Sequence, residues 1–318
     1  MSLNTFLFPG QGSQKRGMFR VFDKNKDEVK EVFEMASDLS GEDILALCTS
    51  ADDETLGQTI HTQIAVMTMN LAFLKLLENR NVKPDVVLGQ SLGQFAAMVA
   101  AGAMSYENTI RLILKRAELM NRVSKSGVLC SILGLTLDQV KEGLADIPEE
   151  LGRVEIALIN SKTQIVLGGD EVAVDFAATK MSALGAFKTV KVRVSAAFHT
   201  SFMREIEDEL ADFIDSLPMT EPACRMILNC KGDFAVSAEE IRRDLKLATC
   251  HTVLLGPGIE KLLQYDDLLI CEAGIGKTMA GMVRNQGYRN KIYLLSEARD
   301  FHDYIIKAQK GIDDEKNV

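Results

Sequence analysis

An α/β protein in two parts is what this sequence predicts, and two observations predict it. The first is Pro84-Asp85-Val86-Val87-Leu88, a short β-branched run that feeds Gly89-Gln90-Ser91-Leu92-Gly93 and is followed by helix formers from Phe95 to Ala101. The second is the order strand, helix, strand, strand, helix, strand between about Ser124 and Ser195, the split βαβ pattern of a ferredoxin-like module. A strand, G-x-S-x-G and a helix in succession make a nucleophile elbow of an otherwise common pentapeptide. The glycines leave room for a tight turn that holds the hydroxyl clear of the backbone. The helix that follows aims its free N–H groups at developing negative charge. Outside that context a serine between glycines reads as a turn residue.

The elements follow in order. Phe6-Leu7-Phe8 is a short apolar strand closed by Pro9-Gly10-Gln11-Gly12-Ser13-Gln14, a loop of turn formers. Amphipathic, charged helices are expected around Lys26 to Leu39 and Ser40 to Ser50, and a strongly apolar one over Thr62 to Leu77, where Ile64, Met67, Leu71, Leu74 and Leu77 fall near helical spacing. After the elbow a long helix runs from about Tyr106 to Val123. Then the texture changes at Ser124-Lys125-Ser126-Gly127. The inserted module consists of a strand at Val128 to Leu133, a helix at Leu137 to Ala145, strands at Ile156 to Asn160 and Gln164 to Leu167, a helix at Glu171 to Leu184 and a strand at Ala186 to Val194. Beyond it come a helix at Phe202 to Leu217, a strand at Ala223 to Asn229, a helix at Glu239 to Leu247 and a buried strand at Asp267 to Cys271. The chain thus divides into a discontinuous large domain, 1–123 and 196–318, and a small module, 124–195.

Composition narrows the functional classes. With 318 residues, 47% of them hydrophobic and 25% charged, the chain can bury a full core. A net charge of −9 leaves no overall basic surface, so nucleic acid is not an expected partner. No apolar run reaches the length of a membrane span, Met1 to Thr5 does not read as a signal peptide, and a cytoplasmic setting away from membranes is expected. The six cysteines are scattered with no C-x-x-C pair, which reads as idle or buried thiols and as no metal site.

A serine needs a base to be a nucleophile at neutral pH, and histidine is the usual one. There are four histidines: His61, His199, His251 and His302. His61 opens an apolar helix and reads as a cap; His251 and His302 lie near a helix end and in a charged C-terminal region. His199, in Val194-Ser195-Ala196-Ala197-Phe198-His199-Thr200, lies in a loop between a strand and a helix and is favoured by position. Arg116 falls within the apolar face formed by Ile113, Ala117 and Met120, whereas Arg111 and Lys115 read as solvated. An inward guanidinium calls for a carboxylate or phosphate held bidentately. Glu118 cannot supply it, because residues two apart on a helix do not face each other. Gly274-Ile275-Gly276-Lys277-Thr278 invites a nucleotide reading, but Cys271 stands where a phosphate loop needs its first glycine, and the segment reads as a strand-to-helix turn.

With these pieces together the chain resembles the malonyl-CoA:acyl-carrier-protein transacylases and the acyltransferase units of polyketide synthases, from Thr5 to about Asn290. Phe8-Pro9-Gly10-Gln11-Gly12-Ser13-Gln14 matches the family's N-terminal loop, Gln90-Ser91-Leu92-Gly93 its elbow, Arg116-Ala117-Glu118-Leu119-Met120 its arginine helix and Ser195 to Met203 its histidine loop. The resemblance implies an α/β-hydrolase-like domain interrupted by a ferredoxin-like subdomain. It implies a Ser91–His199 dyad, an oxyanion hole from the backbone N–H groups of Gln11 and Leu92, and Arg116 on the free carboxylate of a malonyl group. Substrate-binding roles for Met120, Asn160, Phe198 and Gln90 go with it, Phe198 being the aromatic choice that leaves little room for an α-methyl branch. The backbone carbonyl of Ala248 would orient the histidine. The implied substrates are a coenzyme A thioester, malonyl-CoA, and an acyl carrier protein, with no permanently bound cofactor and no metal. The setting is fatty-acid or polyketide synthesis. The sequence departs from the family at Gln90, where histidine is usual, at Gln94, where glutamate is usual, at Ala248 in place of glutamine and at Ile275 in place of proline. Two rival readings follow: an acyl-carrier-protein acyl hydrolase of the same fold, and a transacylase-like subunit of a malonate decarboxylase.

Overall fold

The computed structural model describes residues 2–123, 127–192, 194 and 196–316. The expected module boundaries, 124 and 195, lie outside the described residues. The chain opens with β1 (Leu3–Phe8), then four helices, α1 (Lys26–Ser40), α2 (Ile44–Ser50), α3 (Asp53–Gly57) and α4 (Thr59–Glu78). Gly41, in the left-handed region, ends α1 and splits the charged stretch where a second helix from Ser40 was expected. Next come β2 (Val86–Gly89), α5 (Gly93–Ala100) and α6 (Tyr106–Arg122). The Ser105 hydroxyl caps α6 by accepting from Asn108 N–H, which sets the rotation that turns Arg116, Ala117 and Met120 inward.

The inserted segment folds as β3 (Val128–Leu133), α7 (Leu137–Ala145), β4 (Val154–Ser161), β5 (Gln164–Gly169), α8 (Glu171–Ala183) and β6 (Lys188–Val192). Its four strands form an antiparallel sheet in the order β4-β5-β3-β6, the ferredoxin-like arrangement, with its own small core around Ile132, Ile165, Leu167 and Val174. The two edges of this sheet differ. β6 is solvent-facing along most of its length. β4 is covered by the segment after α10 (Ala238–Ala248): Ile159 N–H donates to Val253 at 2.8 Å and Val253 N–H to Ala157 at 3.0 Å, a short parallel bridge.

The remaining elements are α9 (Glu207–Ser216), β7 (Arg225–Ile227), α11 (Leu255–Leu262), β8 (Leu268–Glu272), α12 (Thr278–Asn285), β9 (Ile292–Leu294) and α13 (Ala298–Lys316). The first turns of the helix expected from Phe202 are 3₁₀, Ser201–Ile206. The strand expected over Ala223 to Asn229 contracts to β7, an edge strand that pairs with Val86 to Leu88 of β2 and makes an antiparallel bridge from Ile227 to Phe234. β7-β2-β1-β8-β9 form an all-parallel sheet. Counted along the chain these strands lie in the order 3-2-1-4-5, the doubly wound pattern whose ligand crevices open at the carboxyl ends of the strands. The loops after β1 and β2 emerge there side by side.

One sequence expectation needs correction. α4 is long and apolar enough to cross a membrane, but 83% of its most apolar window is buried inside the protein, so it is the central core helix.

Candidate active site

The elbow forms because glycine is the only residue that fits on either side of Ser91. A Cβ on Gly89 would come within 2.0 Å of the Gly93 carbonyl carbon, and one on Gly93 within 2.1 Å of the Phe8 oxygen. Strand β2, the first turn of α5 and the end of β1 are therefore pressed backbone to backbone. Ser91 itself has φ +48°, a left-handed conformation that a non-glycine residue adopts at a cost of about 1–3 kcal/mol and keeps only when its surroundings impose it. Gly10 in the loop after β1 packs on the same turn: its Cβ would lie 2.5 Å from the Gln90 oxygen and 3.8 Å from the Leu92 nitrogen. The backbone N–H groups of Gln11 and Leu92 make no hydrogen bond to another described residue.

His199 arrives from the other side. Its Nε2 lies 2.7 Å from Ser91 Oγ, and its Nδ1 lies 2.5 Å from the Ala248 carbonyl oxygen at the end of α10. A carbonyl only accepts, so Nδ1 carries the proton and donates, leaving the Nε2 lone pair for the serine hydroxyl. His199 is also at positive φ, +64°, and its own N–H donates to Thr249 at 3.0 Å. Downstream, Glu155 of β4 accepts from Ser201 N–H at 2.8 Å, tying the histidine loop to the small sheet. Burial first, then the Arg116 charge, push the His199 pKa down to about 4, against a smaller upward effect of the Ala248 carbonyl. The imidazole is neutral at pH 7 and fit to accept a proton.

Arg116 is 4% exposed. Its Nη1 donates to Gln63 Oε1 at 2.5 Å and its guanidinium lies over the Phe95 ring, 5.6 Å from the centroid. Gln63 in turn donates from Nε2 to the Met120 sulfur at 3.3 Å. Among the described residues no carboxylate pairs with Arg116, whereas Arg111 and Lys115 on the same helix pair with Glu107, Glu118 and Glu209 at the surface. Burial alone pulls the Arg116 pKa down to about 10, still charged at neutral pH. Among the described residues four of its five N–H donors have no acceptor.

Gln90 Nε2 donates to Asn160 Oδ1 at 3.2 Å, joining the residue before Ser91 to the C-terminal end of β4. Phe198 is buried beside His199. Of the other histidines, His61 lies inside α4 with Nδ1 3.1 Å from the Thr55 oxygen, and His251 lies with Nδ1 3.1 Å from the Leu247 oxygen; both are held by local carbonyls away from Ser91. The glycine-rich turn at Gly274 is a strand-to-helix connection as expected, between β8 and α12.

Four residues of this region escape a reading of the sequence. Gln63 and Asn70 sit in the apolar helix α4, and a polar side chain on an otherwise buried helix is the signal that marks them. Asn70 Nδ2 braces the loop after β1 through the Pro9 oxygen at 2.9 Å. Asn229 and Asp244 form a buried cluster with Gln94 beneath the elbow, and Asp244 lies one turn before Ala248 on α10. Burial pushes the Asp244 carboxyl up, opposed by the hydrogen bonds it accepts.

A serine hydroxyl against a neutral, carbonyl-anchored histidine, with unspent backbone N–H groups alongside, is the equipment of enzymes that pass acyl groups through a serine ester. The sequence says which of these the chain is. The family of the acyl transferase domain matches residues 5–245, and the chain belongs to that family. It is 30% identical over 286 residues to the malonyl CoA-acyl carrier protein transacylase of Staphylococcus aureus (strain MRSA252), covering 89% of this chain and 92% of the relative. It is 29% identical over 299 residues to the protein of the same name from Bacillus subtilis (strain 168), covering 93% and 94%. Among solved structures, the malonyl-CoA:acyl carrier protein transacylase of Xanthomonas oryzae pv. oryzae superposes with a TM-score of 0.90 at 28% identity, covering 96% of this chain and 98% of that one. A malonyl-transacylase solved with its type II polyketide-synthase acyl-carrier protein gives 0.90 at 26%, covering 98% and 100%.

Proposed function

We infer that this acyltransferase moves a malonyl group from coenzyme A to the phosphopantetheine thiol of an acyl carrier protein. The observation that carries the reading is Arg116: a buried, charged guanidinium with unspent donors and, among the described residues, no carboxylate of its own. A malonyl carboxylate supplies two parallel charge-assisted bonds, which an acetyl group or a neutral acyl chain cannot. The hydrolase reading gives Arg116 no task, and a transacylase-like subunit of a decarboxylase is less well matched by the two relatives named above, which are both malonyl CoA-acyl carrier protein transacylases.

The mechanism we propose follows from the distances. His199 Nε2 takes the proton of Ser91 Oγ as the oxygen attacks the thioester carbonyl. The N–H groups of Gln11 and Leu92 receive the charge that develops on the carbonyl oxygen. As the carbon–sulfur bond breaks, the imidazolium returns its proton to the departing coenzyme A thiol. The carrier-protein thiol then attacks the Ser91 ester, His199 acting as base and then as acid, so the reaction is ping-pong. Ala248 holds the tautomer throughout. Met120 packs behind Gln63 and so backs Arg116, Phe198 narrows the space beside the base against α-branched acyl groups, and Gln90 with Asn160 spans the mouth between the two sheets.

Fatty-acid synthesis is the setting the relatives support, and we extend it to polyketide pathways whose synthases borrow a free-standing transacylase. Six unpaired thiols suit a reducing, cytoplasmic compartment. The reading is tested by intact-mass measurement after incubation with malonyl-, methylmalonyl- and acetyl-CoA, followed by addition of a holo carrier protein. Malonyl should load Ser91 fastest and pass to the carrier. Loading by acetyl at an equal rate, or release of malonate to water faster than transfer, would overturn it.

A further inference from the structure

Ser91 owes its left-handed backbone to something outside its own turn. Its N–H is not directed into strand or helix but donates to Asn229 Oδ1 at 2.6 Å, while Asn229 Nδ2 donates back to the Gly89 oxygen at 2.7 Å. One asparagine thus clasps the elbow from both ends. That asparagine is itself held from below. Its backbone N–H donates to Asp244 Oδ2 at 3.1 Å and to Gln94 Oε1 at 3.0 Å. Gln94 Nε2 donates to Asp244 Oδ2 at 2.8 Å, and Asp244 Oδ1 accepts from Cys230 N–H at 2.9 Å and Lys231 N–H at 3.1 Å. The carboxylate therefore receives four N–H donors, two on each oxygen, and is 4% exposed. Among the described residues no cation pairs with it; the donors alone offset its charge. A protonated acid or an amide would turn a donor toward donors.

We propose that Asp244 is a positioning residue for the nucleophile: its carboxylate fixes Asn229, and through Asn229 the backbone of Ser91, so that Oγ points at His199. One turn further along the same helix, Ala248 fixes the histidine. A single helix, α10, sets both halves of the dyad, one by a side chain and one by a carbonyl, and their separation is built into its geometry. The assignment rests on Ser91 being the nucleophile.

Asp244→Asn, Gln94→Glu and the double variant test it. Asp244→Asn sets an NH₂ against the donors that the carboxylate receives. Gln94→Glu puts two carboxylates within hydrogen-bond distance, where one must hold a proton. The double variant restores one carboxylate and one amide with their places exchanged. The readouts are the acylation rate at saturating malonyl-CoA, KM, the melting temperature, and the labelling rate of Ser91 by a small fluorophosphonate, which reads presentation of Oγ without any acyl-binding pocket. Each single variant should lose roughly 10- to 100-fold in acylation and in labelling with KM within about twofold, the scale expected when a reacting group is misplaced by a fraction of an ångström. The double variant should recover most of both. Folded single variants that label at the wild-type rate would overturn the proposal, as would a folded double variant no better than either single. If Asp244→Asn does not fold, Gln94→Glu and the double variant carry the comparison. Wild-type protein that resists the phosphonate would overturn the nucleophile reading itself, and this proposal with it. Normal labelling with no preference for malonyl would fault only the substrate assignment.

Discussion

The turn that carries Ser91 and the pocket that holds Arg116 are both polar features set into an apolar core, yet they are finished to different degrees. Around Ser91, the backbone N–H, the Gly89 carbonyl, the Asn229 amide and the Asp244 carboxylate all have partners within 3.1 Å. Around Arg116, among the described residues, one acceptor, Gln63, meets five donors. The first region is complete without a ligand and so is preorganised for chemistry. The second has donors left over, and in the function proposed above a malonyl carboxylate takes them up. Rigidity and selectivity are thereby assigned to separate residues.

The largest way to break the first region is to remove its hydroxyl. Ser91→Ala should abolish the mass gain on incubation with malonyl-CoA while leaving the fold intact; residual labelling of that variant would move the nucleophile elsewhere. His199→Ala should slow acylation by roughly two to four orders of magnitude, the contribution of a positioned general base, read by stopped-flow release of coenzyme A.

Arg116→Ala attacks the second region, and here the two acyl groups should part company. Malonyl kcat/KM should fall by about two to three orders of magnitude, the range for deleting one partner of a buried charged contact, while acetyl transfer is unchanged or rises. Arg116→Lys should recover only part, since an ammonium keeps the charge and loses the fork. An equal loss for both acyl groups would make Arg116 structural and erase the contrast drawn above.

The regions are also linked electrostatically, and pH exposes the link. His199 is pushed down to about 4 by burial and by the Arg116 charge. It is the neutral form that works, so kcat/KM for malonyl-CoA should hold steady from pH 8 downward and fall only as pH drops toward about 4. Bound malonyl neutralises Arg116, which removes one of the downward causes, so the acid limb of kcat should lie at higher pH than that of kcat/KM. Coincident limbs would mean that the two sites do not sense each other. The same lowered pKa makes His199 a source of stability above its unfolded value near 6.5 that is lost progressively as pH falls toward about 4. The smallest effect belongs to Gln63→Leu, which removes the one acceptor that Arg116 has among the described residues. It should raise KM for malonyl-CoA by about threefold to tenfold, in keeping with one hydrogen bond to a charged group, and leave acetyl untouched.

How much of this could be read from the sequence depended on what kind of signal each part left. The elbow was legible because a strand, two glycines and a helix former run are all local. The ferredoxin-like order was legible because each of its elements is short, periodic and bounded by turns. Helix α11 was not, because Gly256-Pro257-Gly258 reads as a loop: Pro257 sits in the first turn, where its missing N–H does no harm, and burial of Leu255, Ile259 and Leu262 carries the rest. Beyond the strand-to-helix turn at Gly274, strand β9 was missed because it is only three residues long. In the site, Arg116 was visible as a charge on an apolar face. Asn229 and Asp244 were not, since their meaning lies in contacts 138 and 150 residues away along the chain. Gln94 stood out only as a departure from the family, and its partner at Asp244 is what makes sense of it.

Three non-glycine residues among those described have positive φ: Asn81, Ser91 and His199. That two of the three form the dyad has a consequence for anyone who improves this protein by its melting temperature. Glycine at 91 relieves a backbone penalty of about 1 kcal/mol or more, so a screen blind to turnover would favour that substitution and discard the hydroxyl. At 199 the same relief is outweighed by losing a buried imidazole bonded at both ring nitrogens, so heat tolerance and turnover pull in opposite directions at Ser91, and any library that varies it has to be scored on both.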